Sequence, residues 1–136
     1  MEKRLFELII AIRKKCLYTE EKIRSELKLT PGEFNGLLAV EPGERILGHT
    51  FSRRTGLSPS RGSRVIGRLM QSGFVQSETV PENRRSMEVF LTQKGKTMRK
   101  TIENRMEECE KRFTSQLDEN QITDIKQALE QLADVM

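Results

Sequence analysis

Between residues 2 and 27 the side chains Leu5, Leu8, Ile9, Ile12, Cys16, Ile23 and Leu27 recur at helical spacing among charged neighbours. The segment therefore reads as one long amphipathic helix. The pattern changes at "LTPGEF". Thr30 stands as an N-cap, Pro31 as the first helical residue and Glu33 as the reciprocal partner of a capping box. Leu29 and Phe34 are placed for a hydrophobic staple. That helix runs through Leu37 and Leu38 and stops near Pro42 and Gly43. A short third helix fits residues 47–55, ended by Gly56. Ser58 and Pro59 then open another, which Gly73 closes. Two helices joined by the tight "TGLS" turn make a helix-turn-helix pattern.

After Gly73 the period shortens. "FVQSETV" and "SMEVFLT" are rich in β-branched and aromatic residues, and Met87, Val89 and Leu91 alternate with Ser86, Glu88 and Phe90. They predict a two-stranded hairpin whose tip, "PENRR", carries Arg84 and Arg85. The fold class expected is mainly α with a small β-hairpin wing, a winged helix-turn-helix flanked by long helices. Thr92 caps the next helix, whose apolar positions Met98, Ile102, Met106, Cys109, Phe113 and Leu117 step by three or four along a narrow seam. Asp118 and Gln121 form a second capping box. Ile122, Ile125, Leu129 and Leu132 carry a final helix to the C-terminus.

Composition sharpens this in three ways. Only 35% of the 136 residues are hydrophobic, thin for a monomer of this length, which points to a core shared between copies. The chain has no run of 18 apolar residues and no signal-peptide core, so a soluble cytoplasmic protein without membrane contact is expected. The net charge of +4 is unevenly placed: eight arginines from Arg45 to Arg85 face only Glu78 and Glu82, whereas the flanks are neutral or acidic. A basic middle of this kind is the electrostatic footprint of nucleic-acid binding.

The fourth helix carries most of that charge. Projected at about 100° per residue from Arg61, its residues Val65, Leu69, Ile66 and Met70 fall within an arc of about 40° to 180°, with Gly62 in the middle. Arg64, Arg68 and Gln71 lie on the opposite side, continued by Ser60, Ser63 and Gly67. Arginine reads guanine bidentately in a major groove, and serine bonds phosphate or base edges. Arg61, Ser60 and Arg64 sit toward the N-terminal half, which reaches bases; Arg68 sits where phosphate contact is expected. The competing reading is a solvated cationic face. No acidic residue occurs from Ser58 to Ser77, and Arg53 and Arg54 precede the helix, so DNA contact is preferred. Arg84 and Arg85 suit insertion into a minor groove. Gly62 would let the preceding helix approach closely, and Gly67 would leave room for a backbone or phosphate.

"LTPGEFNGLL", "GLSPSRGSRVIGRLMQSGFVQ", "VPENRRSMEVFLTQKGKTM" and "LDENQITDIKQAL" together resemble, in order, the MarR (multiple antibiotic resistance regulator) family. The resemblance covers about Leu29 to Leu132. It implies a single domain over residues 1–136, with helices in 1–28 and 93–136 forming a homodimer interface around a winged helix-turn-helix lobe at 30–92. It implies a transcription regulator, a repressor of a pseudo-palindromic double-stranded DNA operator, relieved by a small-molecule effector or another signal. Ser58, Ser60, Arg61, Ser63, Arg64 and Arg68 would belong to the DNA-facing helix, Arg53 and Arg54 to its approach, and Arg84 and Arg85 to the wing. The chain departs from the family pattern at Asn83, where an aspartate is usual, and at Gly62 and Met70.

Other chemistry has little raw material. One histidine, His49, and two cysteines, Cys16 and Cys109, supply neither a metal cluster nor a nucleophile–base pair. No enzyme, cofactor or metal is expected. Cys16 lies on the apolar stripe of the first helix, which predicts packing in a core. Arg13, Lys14 and Lys15 beside it also suit a reactive thiol, and resemblance to peroxide-sensing relatives makes Cys16 the redox alternative. A winged-helix module that meets an acidic protein is the other alternative.

Overall fold

The computed structural model describes residues 2–136, the side chains of residues 84 and 85 excepted. Its elements are α1 (Leu5–Glu26), α2 (Pro31–Ala39), β1 (Ile46–Leu47), α3 (Gly48–Thr55), α4 (Pro59–Gln71), β2 (Val75–Val80), β3 (Asn83–Leu91), α5 (Gln93–Thr114) and α6 (Glu119–Val135). The chain forms two compact units, Met1–Glu103 and Asn104–Met136, and the boundary falls inside α5. Among the described residues no helix is long and apolar enough to cross a membrane.

In the first unit the helix ends are set by the residues that mark them in the sequence. The Glu33 amide donates to Thr30 Oγ1 at 3.1 Å, and the Thr30 amide donates to Glu33 Oε1 at 3.0 Å, completing the capping box of α2. Leu29 and Phe34 are both buried. The Arg61 amide donates to Ser58 Oγ at the start of α4. At the far end of α4 the amides of Gly73 and Phe74 donate to the carbonyls of Met70 and Leu69, a Schellman closure that needs the positive φ of Gly73 (79°).

The core joins α2, α3 and α4 to the sheet through Leu37, Phe51, Leu69, Val75 and Val89, with Ile102 of α5 completely buried. The sheet is antiparallel in the order β1-β3-β2. β2 pairs with β3 from Val75 opposite Leu91 to Thr79 opposite Met87, with an irregularity between Thr79 and Val80. β1 is an addition to the expected hairpin: Ile46 pairs with Val89 and Leu47 with Glu88. The residues read as the start of a helix at 47 instead leave a two-residue strand, and α3 begins at Gly48. Burial of Ile46 against the sheet decides this, a tertiary gain too short to leave an alternating pattern.

Among the described residues three polar side chains are buried in the first unit, those of Glu33, Ser52 and Arg99. Arg99 of α5 is 8% exposed. Its Nη1 donates to the carbonyls of Leu37, Leu38 and Val40 at 2.8–3.0 Å, its Nε to Glu103 at 2.8 Å, and its Nη2 lies 3.1 Å from Glu41. These carbonyls end α2, where helical partners run out and the helix dipole is negative.

In the second unit Asp118 and Gln121 make the capping box expected of them. The apolar residues there are largely open: Met106, Phe113, Ile125 and Leu129 are all exposed.

Candidate nucleic-acid interface

Helix α4 has two faces, set by which of its residues are apolar or small. Leu69 and Gly62 are buried, and Val65 and Ile66 are half-buried. Ser60, Arg61, Ser63, Arg64 and Arg68 are all exposed, as is the cap Ser58. Met70, at the edge of the apolar arc, is 44% exposed, and Ser77 Oγ lies 3.6 Å from its sulfur. The core face is held close to α3 through Gly62. A Cβ added there would lie 1.9 Å from Ser52 Oγ, 2.9 Å from Ser52 Cβ and 3.3 Å from Ser52 Cα. Gly67 has open space around it, on the polar side.

Glu33 ties this helix to α2. Ser72 Oγ, at the C-cap of α4, donates to Glu33 Oε2 at 2.6 Å, and Arg68 Nε lies 3.9 Å from Glu33 Oε1. Burial pushes the Glu33 carboxyl up, but hydrogen bonds from Ser72 and Thr30 and the charge of Arg68 outweigh it, leaving it below its ordinary 4.5. A carboxyl depressed in the folded state stabilises above its unfolded pKa, and that contribution fades as pH falls through the folded value. Stability curves measured by urea denaturation from pH 7 to pH 3 are expected to fall less steeply in Glu33→Gln than in the wild type. Equal slopes would remove the assignment.

The remaining sequence-predicted residues separate. Arg53 is exposed at the end of α3. Arg54 is engaged within the lobe: Nη1 donates to Glu44 at 2.6 Å and to the Ala39 carbonyl at 2.9 Å, and Nη2 to Glu44 at 3.1 Å. Those bonds hold the Glu44 carboxyl down to about 2. The side chains of Arg84 and Arg85 lie outside the described residues. Cys16, expected to pack in a core, is exposed in the single chain. Ile23 is the buried residue of α1 in that chain, and Ile12, Leu17 and Tyr18 around the cysteine are open as well. Cys109 is half-buried.

Two features of the assembled lobe left no signal in the sequence. Arg45 lies across the sheet, described below. A cleft of about 360 Å³ opens between α4, the start of α3 and the sheet, lined by Leu47, Ile66 and Met87 and by the hydroxyls of Ser52, Ser63, Ser77 and Ser86, with His49 beside them. Its residues come from five elements, so only their assembly reveals it.

The sequence matches no protein-family model and no curated protein. Its three-dimensional arrangement does have counterparts. MarR from E. coli in its apo form superposes with a TM-score of 0.82 at 18% identity, over 97% of this chain and 98% of that one. A MarR-family transcriptional regulator from Rhodococcus sp. RHA1 gives 0.79 at 18% identity over 99% of both chains. A MepR variant from multidrug-resistant S. aureus gives 0.78 at 15% identity over the whole of both. The fold is that of the MarR-family transcriptional regulators. In this MarR fold α3 and α4 form the helix-turn-helix and β2–β3 the wing, as the arrangement of caps and alternating positions anticipated.

Proposed function

We propose that this protein is a homodimeric, sequence-specific DNA-binding transcription regulator, a repressor of a pseudo-palindromic operator relieved by a small-molecule effector. One observation carries the reading. The exposed side of α4 presents Ser60, Arg61, Ser63, Arg64 and Arg68 on a helix free of carboxylates, backed by a packed core face. A helix of this kind fits a major groove, where its guanidinium groups meet guanine edges and phosphates. The MarR-like fold supports the same conclusion, because its structural counterparts include transcriptional regulators. Exposed Leu5, Phe6 and Ile12 on α1, and Phe113 and Leu129 in the second unit, support pairing of two copies. The cleft beside α4 is a candidate seat for the effector, since its occupant would lie next to the DNA-facing side chains. Cytoplasmic action follows from this reading.

The test is binding to DNA from the protein's own gene neighbourhood. Saturable binding is expected at low salt, weakening with a log–log slope of about −0.9 per phosphate neutralised. Arg64→Ala is expected to cost roughly tenfold or more in affinity, the loss of a base or phosphate contact worth about 1–3 kcal/mol. Failure of the wild type to bind any such fragment saturably would end the DNA reading.

A further inference from the structure

In β2 and β3, Glu78 and Glu88 stand directly opposite each other across the strand pair. Like charges in that position repel and destabilise a hairpin. A third residue intervenes. Arg45 immediately precedes β1, and continuing the β1–β3 register places it beside Phe90. Its guanidinium lies 4.2 Å from the centroid of the Phe90 ring, its Nη2 is 2.5 Å from Glu78, and its Nε is 3.9 Å from Glu88. One side chain thus starts at one edge strand, crosses the central strand over an aromatic ring and ends on the opposite edge strand.

We infer that Arg45 is a positioning residue for the wing: it bridges the Glu78–Glu88 pair, offsetting one of their two charges, and ties the hairpin to the strand that leads into the helix-turn-helix. Each ion pair alone is weak, because the Arg45, Glu78 and Glu88 side chains are 42%, 59% and 30% exposed and such pairs contribute little. The effect rests on three terms acting together: two carboxylates relieved of mutual repulsion and a cation held on a ring face. Its position matters as much as its strength. β1 has two residues and runs directly into α3, so the far edge of the hairpin is fixed to the base of the helix pair. Offsetting one of the two carboxylate charges also lowers the local negative charge that would oppose an approaching phosphate backbone. This last consequence rests on the DNA-binding reading; the tie itself does not.

Two measurements on the full-length protein separate these. Amide hydrogen exchange reports the hairpin without DNA. Arg45→Ala is expected to speed exchange at β2–β3 amides by about fivefold. Adding Glu78→Gln and Glu88→Gln in the same chain is expected to restore most of the protection, since the repulsion is gone. DNA titration reports the consequence: Arg45→Ala weakens binding several-fold with an unchanged salt slope, and the triple variant recovers it. Unchanged exchange in Arg45→Ala, or acceleration that persists in the triple variant, overturns the tie. A salt slope lowered by about 0.9 in Arg45→Ala, with no recovery in the triple variant, makes Arg45 a phosphate contact and overturns the positioning role. A wild type that binds no DNA defeats the DNA reading, while the exchange arm still decides the tie.

Discussion

Arg99→Ala is expected to lower the stability of the fold by about 3–4 kcal/mol, the largest effect of any single substitution considered for this protein. The guanidinium is 8% exposed and its Nη1 converges on three carbonyls at the end of α2. Alanine would leave those acceptors without the charged donor that satisfies them, and the cost of orphaned buried acceptors exceeds the modest net value of a made hydrogen bond. Because total stability is usually about 5–15 kcal/mol, the loss amounts to a fall of about 10 °C in melting temperature. Arg99→Lys keeps the charge but replaces a planar fork with a point donor, so about half the loss is expected. Melting should be followed at one fixed protein concentration, since pairing of copies would shift it. A midpoint for Arg99→Ala within 2 °C of the wild type would refute the account.

Gly62→Ala is expected to destabilise by about 2 kcal/mol, and Gly62→Val by more, against the ordinary preference of helices for alanine over glycine of about 1 kcal/mol. The new Cβ meets Ser52 at its Oγ, its Cβ and its Cα. The hydroxyl can swing aside; the backbone of α3 cannot do so without moving the whole helix. The contrast is Gly67, with open space around it, where alanine is expected to stabilise by up to about 1 kcal/mol. Pairing Gly62→Ala with Ser52→Gly removes the two nearest atoms, and the double variant should be more stable than the sum of the singles by over 1 kcal/mol. Chemical denaturation of the four proteins decides it. Strict additivity would mean that the helices are not in contact where the geometry places them.

Much of the architecture was legible because the chain marks its own boundaries. Thr30, Ser58 and Asp118 cap the helices they were expected to cap, and the alternation around Val89 predicted the hairpin. The polar face of α4 was legible for the same reason: a 3.6-residue period separates it from the core. What escaped depends on distant partners. β1 has two residues and exists through its pairing with β3, which leaves no periodic trace. Arg99 was not singled out in the sequence; the available signal was its spacing with Gly95 and Ile102, in steps of four and three, both of which are buried. Arg54 was indistinguishable in sequence from Arg53, and Glu44, ten residues earlier, is what separates them. Cys16 shows the converse failure. An apolar stripe predicts a buried face, but burial needs a covering partner, and in a single chain most of α1 has none.

Helix α2 is gripped at both ends by charge. At its start Glu33 is bonded to Ser72 at the end of α4, and at its finish Arg99 of α5 holds its last carbonyls. The nine-residue helix between them is therefore a strut with a pinned joint at each end. Sliding α2 along its axis would break charged bonds in a buried setting. The start of α5 and the C-terminal end of the arginine-bearing helix are thus joined through one short helix.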